Sequence, residues 1–335
     1  MNPTNIEFDL KVESVPVNQT CTVEPLELVH NIRKLKLNPK FVFPSNKPDK
    51  KPRLFKKDLK TYGNIKIGSW CIDGASKLTP SVIEYIEKEN FDILCLQGLK
   101  SSNQVKLEAQ FKKMTKSCCA YYCLKDLNPG LVIFTKIEAT TVQIVKMPEF
   151  EELSADQSVL AVEFVNFTLV CVVAPSSGFG LVHLTMKIKW HNAFRAYIAA
   201  TQRKKPLLIV GNLEAAHQEI GKSHDNKFWS NSHKFCLIVD LVQPKYRKSA
   251  GTTHEESKII AELLELNMID TFRFLNPDIV GISCFVEPRI IKTVGTRFDY
   301  FFASKAIQEF CKLCTVQSNV NNFIHCPIIL VMNFN

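Results

Sequence analysis

Apolar residues in this chain fall into short continuous runs separated by amphipathic stretches, and the alternation begins only after residue 63. The runs IKIGSW (65–70), FDILCLQ (91–97), CAYYCL (119–124), LVIFT (131–135), SVLAVEF (158–164), FTLVCVVAP (167–175) and PLLIVGN (206–212) are rich in branched and aromatic side chains. RFDYFFAS (297–304), KLCTVQS (312–318) and HCPIILVMN (325–333) are similar. Runs apolar on both faces predict buried strands. Between them, 81–90, 104–114, 183–204 and 254–266 carry apolar residues at helical spacing. Thr79 or Ser81 is placed to start the first of these helices, and Thr252 or Thr253 the last. Strand, helix and strand over 65–97 make a β-α-β unit, which implies parallel neighbours. The whole order predicts two mixed sheets with helices outside.

Residues 1–63 show no sustained periodicity, and FPSNKPDKKPRLFKK holds three prolines among many charges. We therefore divide the chain into a basic, disordered leader (1–63) and one α/β domain (64–335). The net charge of +9 is unevenly spread: residues 33–66 hold twelve Lys and Arg against Asp49 and Asp58. Such a run attracts nucleic acid or serves nuclear import, so a nuclear or cytoplasmic protein is expected. The first 15 residues lack a basic stretch followed by an apolar core, so they do not read as a signal peptide. No run of about 18 uncharged apolar residues predicts a membrane span. The 12 cysteines lack zinc-site spacing, and many sit inside apolar runs, as reduced, buried thiols would.

Polar residues collect at the ends of the predicted strands: Trp70-Cys71-Ile72-Asp73, Gln97-Gly98, Pro175-Ser176, Gly211-Asn212-Leu213-Glu214, Arg297-Phe298-Asp299-Tyr300 and His325-Cys326-Pro327. Strand ends are where sites gather in α/β proteins. Taken in order, these segments resemble the exonuclease III-like AP endonucleases. IKIGSWCIDG is similar to that family's W-N-V-D-G strand, and FDILCLQGLK to its D-I-L-C-L-Q-E-T-K. GFGLVHL and KIKWHNAFRAYI resemble G-R-G-L-V-x-L and the helix R-x-x-W-x-x-x-F-R. PLLIVGNLEAAHQEI resembles P-L-V-L-C-G-D-L-N-V-A-H-x-E-I. VGTRFDYFFAS and IHCPIIL resemble V-G-W-R-L-D-Y-F-L-x-S and D-H-C-P-I. The likeness runs from Ile65 to Asn333. It implies a four-layer αββα sandwich of two mixed sheets flanked by helices, cleavage of DNA beside abasic sites, and Mg²⁺ or Mn²⁺ as cofactor if the site is active.

That chemistry needs carboxylate oxygens on the metal, a carboxylate to orient and deprotonate water, and a His held by an Asp against the charge on phosphorus. By the resemblance, Gly98 stands where the family has its metal-binding Glu, and Asn212 where it has the water-positioning Asp. Cys71 replaces an Asn, Ile324 an Asp, Val173 a Tyr, Ser176 an Asn, Glu214 an Asn, Phe179 an Arg and Thr296 a Trp. Asp73, Asp299, His325 and Arg297 are retained. The candidate site is therefore a vestigial His325–Asp299 pair with Asn212. Asp73 and Glu214 are the remaining metal-binding candidates, and Arg297, Ser176 and Phe285 the substrate-binding ones.

Three readings compete. The first is a catalytically inactive or strongly attenuated paralogue that still binds DNA weakly and salt-sensitively, as a monomer with no resident metal. The second is an active nuclease holding a divalent metal on Asp73 and Glu214. The third is a redox or protein-interaction module, with Cys71 as the thiol to probe.

Overall fold

The computed structural model describes residues 13–15, 32–35, 63–72, 74–99, 118–123, 130–145, 158–217, 238–239, 249–287, 291–320 and 323–335, together with Leu107, Glu108, Gln110, Phe111 and Met114. Asp73 and most of the leader lie outside these residues. So does most of the expected helix over 104–114, whose five described residues are helical.

Strands are numbered in chain order. The first sheet holds β3 (Asn64–Cys71), β4 (Ile93–Leu99), β5 (Cys119–Cys123), β6 (Gly130–Thr135), β16 (Cys311–Val316) and β17 (Ile328–Asn333), with β2 (Ile32–Leu35) at its edge, in the order β16-β17-β3-β4-β6-β5-β2. The second holds β7 (Thr141–Ile144), β8 (Ser158–Glu163), β9 (Thr168–Val173), β10 (Leu207–Asn212), β12 (Met268–Asp270) and β15 (Asp299–Ser304), with β1 (Glu13–Val15) at its edge, in the order β1-β7-β8-β9-β10-β15-β12. Only β3–β4 and β9–β10 are parallel pairs; the other pairs within these two sheets are antiparallel. Both sheets are mixed, as expected. A small third sheet joins β11 (Ile238–Val239), β14 (Ile291–Thr296) and β13 (Cys284–Glu287).

Three apolar cores stack through the molecule. The central one lies between the sheets and includes Ile67, Cys95, Ile133, Leu160, Leu169, Val210, Phe301 and Leu330. A second joins the β8–β10 face to helices α2 (Leu184–Gln202) and α3 (His254–Leu264) through Trp190, Phe194, Ile198, Ile260 and Leu263. The third packs α1 (Pro80–Glu89) on the other sheet through Val82, Phe91, Leu96 and Ile329. Helix, sheet, sheet and helix make the four layers. Central strands touch apolar neighbours on both faces, which is why their sequences read as continuous runs rather than alternation.

Helix ends follow local chemistry. Thr79 precedes Pro80 at the first position of α1, and Asn90 closes it in the left-handed region at φ 51°; both are favoured there. Thr253, not Thr252, caps α3, in a capping box with Glu256. His191 is buried in α2, and among the described residues neither ring nitrogen has a hydrogen-bond partner.

The leader is not without elements. Its segments Glu13–Val15 and Ile32–Leu35 pair antiparallel with β7 and β5. Each covers an otherwise open sheet edge, which satisfies exposed ladder groups.

Candidate functional site

The register of the second sheet places Asn212, at the end of β10, opposite Asp299 on one side and Val173 on the other. Gly211 comes just before it at φ +135°, where an added Cβ would lie 2.0 Å from the Val172 carbonyl oxygen. Only glycine allows the two strands to approach this closely. In the facing sheet β3 ends at Cys71, paired with Gln97 of β4. The two sheet ends converge, and Asn212 Nδ2 lies 4.0 Å from Cys71 Sγ.

His325 reaches this point from the turn before β17. Its Nδ1 lies 2.8 Å from Asp299 Oδ2, and Trp70 Nε1 donates to its carbonyl at 3.0 Å. Ser283 Oγ donates to the same carboxylate oxygen at 2.7 Å and accepts from the backbone N–H groups of Phe298 and Asp299. A β-bridge joins Cys284 to His325. Burial disfavours the charged imidazole, but the Asp299 carboxylate outweighs it, so the ring's pKa stands well above its ordinary value.

The sign of the pH dependence follows. A ring whose folded pKa is raised adds stability that is complete below its unfolded value of about 6.5 and is lost as pH rises through the folded value. The gap in unfolding free energy between the native chain and His325→Gln should therefore be wide at pH 6 and narrow at more alkaline pH. Urea titrations across that range check it; a gap independent of pH would show the ring to be uncharged throughout.

Sequence reasoning singled out Asp73 and Glu214 as metal-binding candidates. Asp73 lies outside the described residues. Glu214 sits at φ +51°, its N–H donating to Asn212 Oδ1 at 2.8 Å, while its carboxylate accepts from Asn212 Nδ2 at 2.5 Å. The amide and the acid are thus bonded to each other. Gly98 carries no side chain, adopts φ +73°, and accepts from Gly74 N–H through its carbonyl. The Cys71 thiol is pushed up to about 12, first by burial; a neutral, soft thiol is a poor ligand for Mg²⁺. Among the described residues no group of three or more His, Cys, Asp or Glu side chains is arranged to hold a metal ion. Among the described residues, Asn212, Glu214 and Cys71 do not by themselves make an oxygen-rich set for a hard divalent cation.

The substrate-binding candidates part company. Arg297 is not available to a ligand: its Nη2 pairs with Asp270 Oδ2 at 2.7 Å, and its guanidinium lies 4.6 Å from the Tyr300 ring centroid. Both members of this pair are buried, and Asp270 also caps helix α4 (Thr271–Leu275). Phe285 is also buried. It follows Cys284 on β13, so its side chain takes the opposite face from the His325 group and lines a cavity with Phe272, Gly281 and Cys314. Ser176 is exposed, and its hydroxyl accepts from Gly178 N–H. The Cys71 thiol is corrected as well: its burial and raised pKa remove the reactive thiolate that a redox role there would need.

Residues that sequence reasoning missed hold the Glu214 loop in place. Lys187 of α2 donates to the Glu214 carbonyl and, at 2.6 Å, to Glu256 Oε1; Ser177 Oγ donates to the same oxygen. Thr253-x-x-Glu256 was legible as a capping box. Its pairing with Lys187, 69 residues away, had no signal in the sequence.

No protein-family model matches the chain. Among curated proteins, the DNA repair nuclease APEX1 of Danio rerio is 32% identical over 279 residues, covering 80% of this chain and 82% of that protein. The chain belongs to the exonuclease III-like AP endonuclease family. An exodeoxyribonuclease of Bacillus subtilis is 28% identical over 276 residues, covering 80% of this chain and all of the relative. Among solved structures, the 3′ phosphatase NExo from Neisseria aligns with TM-score 0.65 at 17% identity, and an AP endonuclease from Archaeoglobus fulgidus with 0.63 at 18%. Each covers 80% of this chain and 99% of the neighbour. At that identity the likeness speaks for the fold, and the fold agrees with the family. This AP endonuclease-family chain keeps a His–Asp pair and a Trp at the converging strand ends. Two large apolar side chains are exposed: Phe179 on a turn between Gly178 and Gly180, and Ile324 next to His325 in the chain. No helix among the described residues is long and apolar enough to cross a membrane.

Proposed function

We propose that this chain is a pseudo-nuclease: a member of the AP endonuclease family that engages DNA without cutting it. The observation that carries the reading is the Asn212–Glu214 hydrogen-bonded couple. An amide at the water-positioning place cannot take a proton at neutral pH. The carboxylate beside it adds negative charge where a phosphate would approach. The His325–Asp299 pair is retained as a structural link between β15 and the β17 turn. The protein acts as a monomer, and its basic leader takes it to nuclear or cytoplasmic DNA.

DNA affinity then rests on the leader, since residues 67–335 add only a small positive excess. Each neutralised phosphate contributes about −0.9 to the slope of log affinity against log salt. Replacing Lys47, Lys50, Lys51, Arg53, Lys56 and Lys57 by Gln in the full chain should flatten that slope by about three or more. Fluorescence anisotropy on an abasic-site duplex measures it. Gel analysis of the same samples in Mn²⁺ should find the strand intact. An unchanged slope would remove the leader from the account. Cleavage abolished by Asp73→Ala would make the chain an active nuclease with a displaced metal.

A further inference from the structure

At the far end of the second sheet, one strand length (roughly 17 Å) from Asn212, α2 runs out into a basic concavity. The space is about 300 Å³ and is lined by Gln202, Arg203, Lys204, Lys205, Asn267 and Ser304, with Pro206, Ala306 and Ile307 as its apolar floor. Among the described residues no carboxylate lines it. The Lys205 ammonium that reaches the pocket is paired with Glu163 and also donates to the Phe164 carbonyl. Arg203 and Lys204 are exposed, and Lys305, between the lining residues Ser304 and Ala306, is exposed too. Among the described residues these three cations enter no ion pair or side-chain hydrogen bond. Lys66, Arg195 and Lys187, by contrast, pair with Glu89, Glu262 and Glu256.

Two lining cations without an ion pair, Arg203 and Lys204, stand beside Lys205 on a concave wall, with Lys305 adjacent in sequence to its lining residues, and together they form a positive well. The Ser304 hydroxyl is already used: it accepts from Leu207 N–H and donates to Met268 Sδ. A partly enclosed site focuses such a field. Guanidinium and ammonium donors match the oxygens of a tetrahedral anion, and the hydrogen bonds are charge-assisted. The backbone N–H groups of Lys204, Lys205 and Lys305 are used internally, on Thr201 and Asn267 carbonyls, so recognition falls to side chains.

We propose that this pocket binds a phosphate group, carried by a small phosphorylated molecule or by a nucleic-acid backbone, at a site separate from the converging strand ends. The site does not depend on whether the chain cuts DNA, because no residue of the Asn212 or His325 cluster lines it.

The test uses the full chain in low-salt buffer. Inorganic phosphate is titrated by calorimetry against chloride at matched ionic strength, with the amide resonance of Asn267 as the local reporter. Saturable binding and a shift at Asn267 are expected. The double variant Arg203→Ser, Lys204→Ser should weaken binding about tenfold or more, whereas Lys312→Ser, on the other sheet, should leave it unchanged. Equal melting temperatures show that the variant is folded. Two further arms, adenosine monophosphate and a short DNA duplex, assign the source: the one whose affinity exceeds that of phosphate and falls with the double variant supplies the group. Phosphate behaving like chloride, or the double variant binding as tightly as the native chain, would overturn the proposal.

Discussion

Incubated with an abasic-site duplex and Mg²⁺ or Mn²⁺, the full chain should incise at least about 10⁴-fold more slowly than an active relative assayed beside it. Loss of a general base costs about 10²–10⁴ in rate, and loss of a preorganised charge-stabilising group about 10²–10³. The losses do not simply multiply, because the groups act as a unit; a floor of about 10⁴ is therefore the firm expectation. If the chain is a pseudo-nuclease, His325→Ala and Asp299→Ala should leave the residual rate where it is. Restoring one residue should not revive the enzyme. Asn212→Asp breaks the amide's bond to Glu214 and sets two carboxylates side by side. Gly98→Glu places a side chain at φ +73°, a conformation costly for anything but glycine. Quantified product from a labelled duplex decides the matter, and incision within tenfold of the active relative would refute the expectation.

Lys187→Met should destabilise the fold by about 3–5 kcal/mol, the usual cost of removing one partner from a buried ion pair. Both side chains of the Lys187–Glu256 pair are fully buried, 2.6 Å apart. The remaining carboxylate would keep Ser177 and the Thr253 cap but lose its Lys187 countercharge. Burial pushes the Glu256 carboxyl up, yet Lys187, Ser177 and Thr253 together hold it below its ordinary value. Its contribution is thus present above the unfolded carboxyl's pKa and is lost as pH falls through the folded one. The double variant Lys187→Met, Glu256→Leu should recover much of the loss, because no uncompensated charge is left behind. Urea unfolding at neutral pH measures both; a loss under 1 kcal/mol for the single variant would mean that water reaches the pair. The Lys187 bond to the Glu214 carbonyl ties this stability to the site, for it fixes the loop in which Asn212 and Glu214 face each other.

Much of the fold was legible because long apolar runs and helical spacing survive divergence: the strands over 65–71, 93–97, 168–173 and 207–212 and the helix over 184–202 match the periodicity that announced them. Short or half-polar strands did not announce themselves. Thr141–Ile144, TVQI, alternates over only four residues, and β1 and β2 take their order from the sheet edges they cover. The candidate site residues were only partly brought together. His325 and Asp299 meet as their places in the motifs implied. Arg297 turns inward to Asp270, a pairing across 27 residues that no local pattern encodes. Phe285 follows the alternation of β13 away from the site. Ser283, which completes the Asp299 environment, sits in a run with no distinguishing spacing.

The claim beneath all of this is that the converging strand ends no longer hold the oxygen donors a divalent ion requires. Mn²⁺ binding to the full chain, followed by electron paramagnetic resonance at micromolar metal, tests it directly. The account predicts a spectrum of free hexa-aqua ion, unchanged by the protein or by Glu214→Gln. One tightly held Mn²⁺ per chain, released by Asp73→Asn or Glu214→Gln, would contradict it.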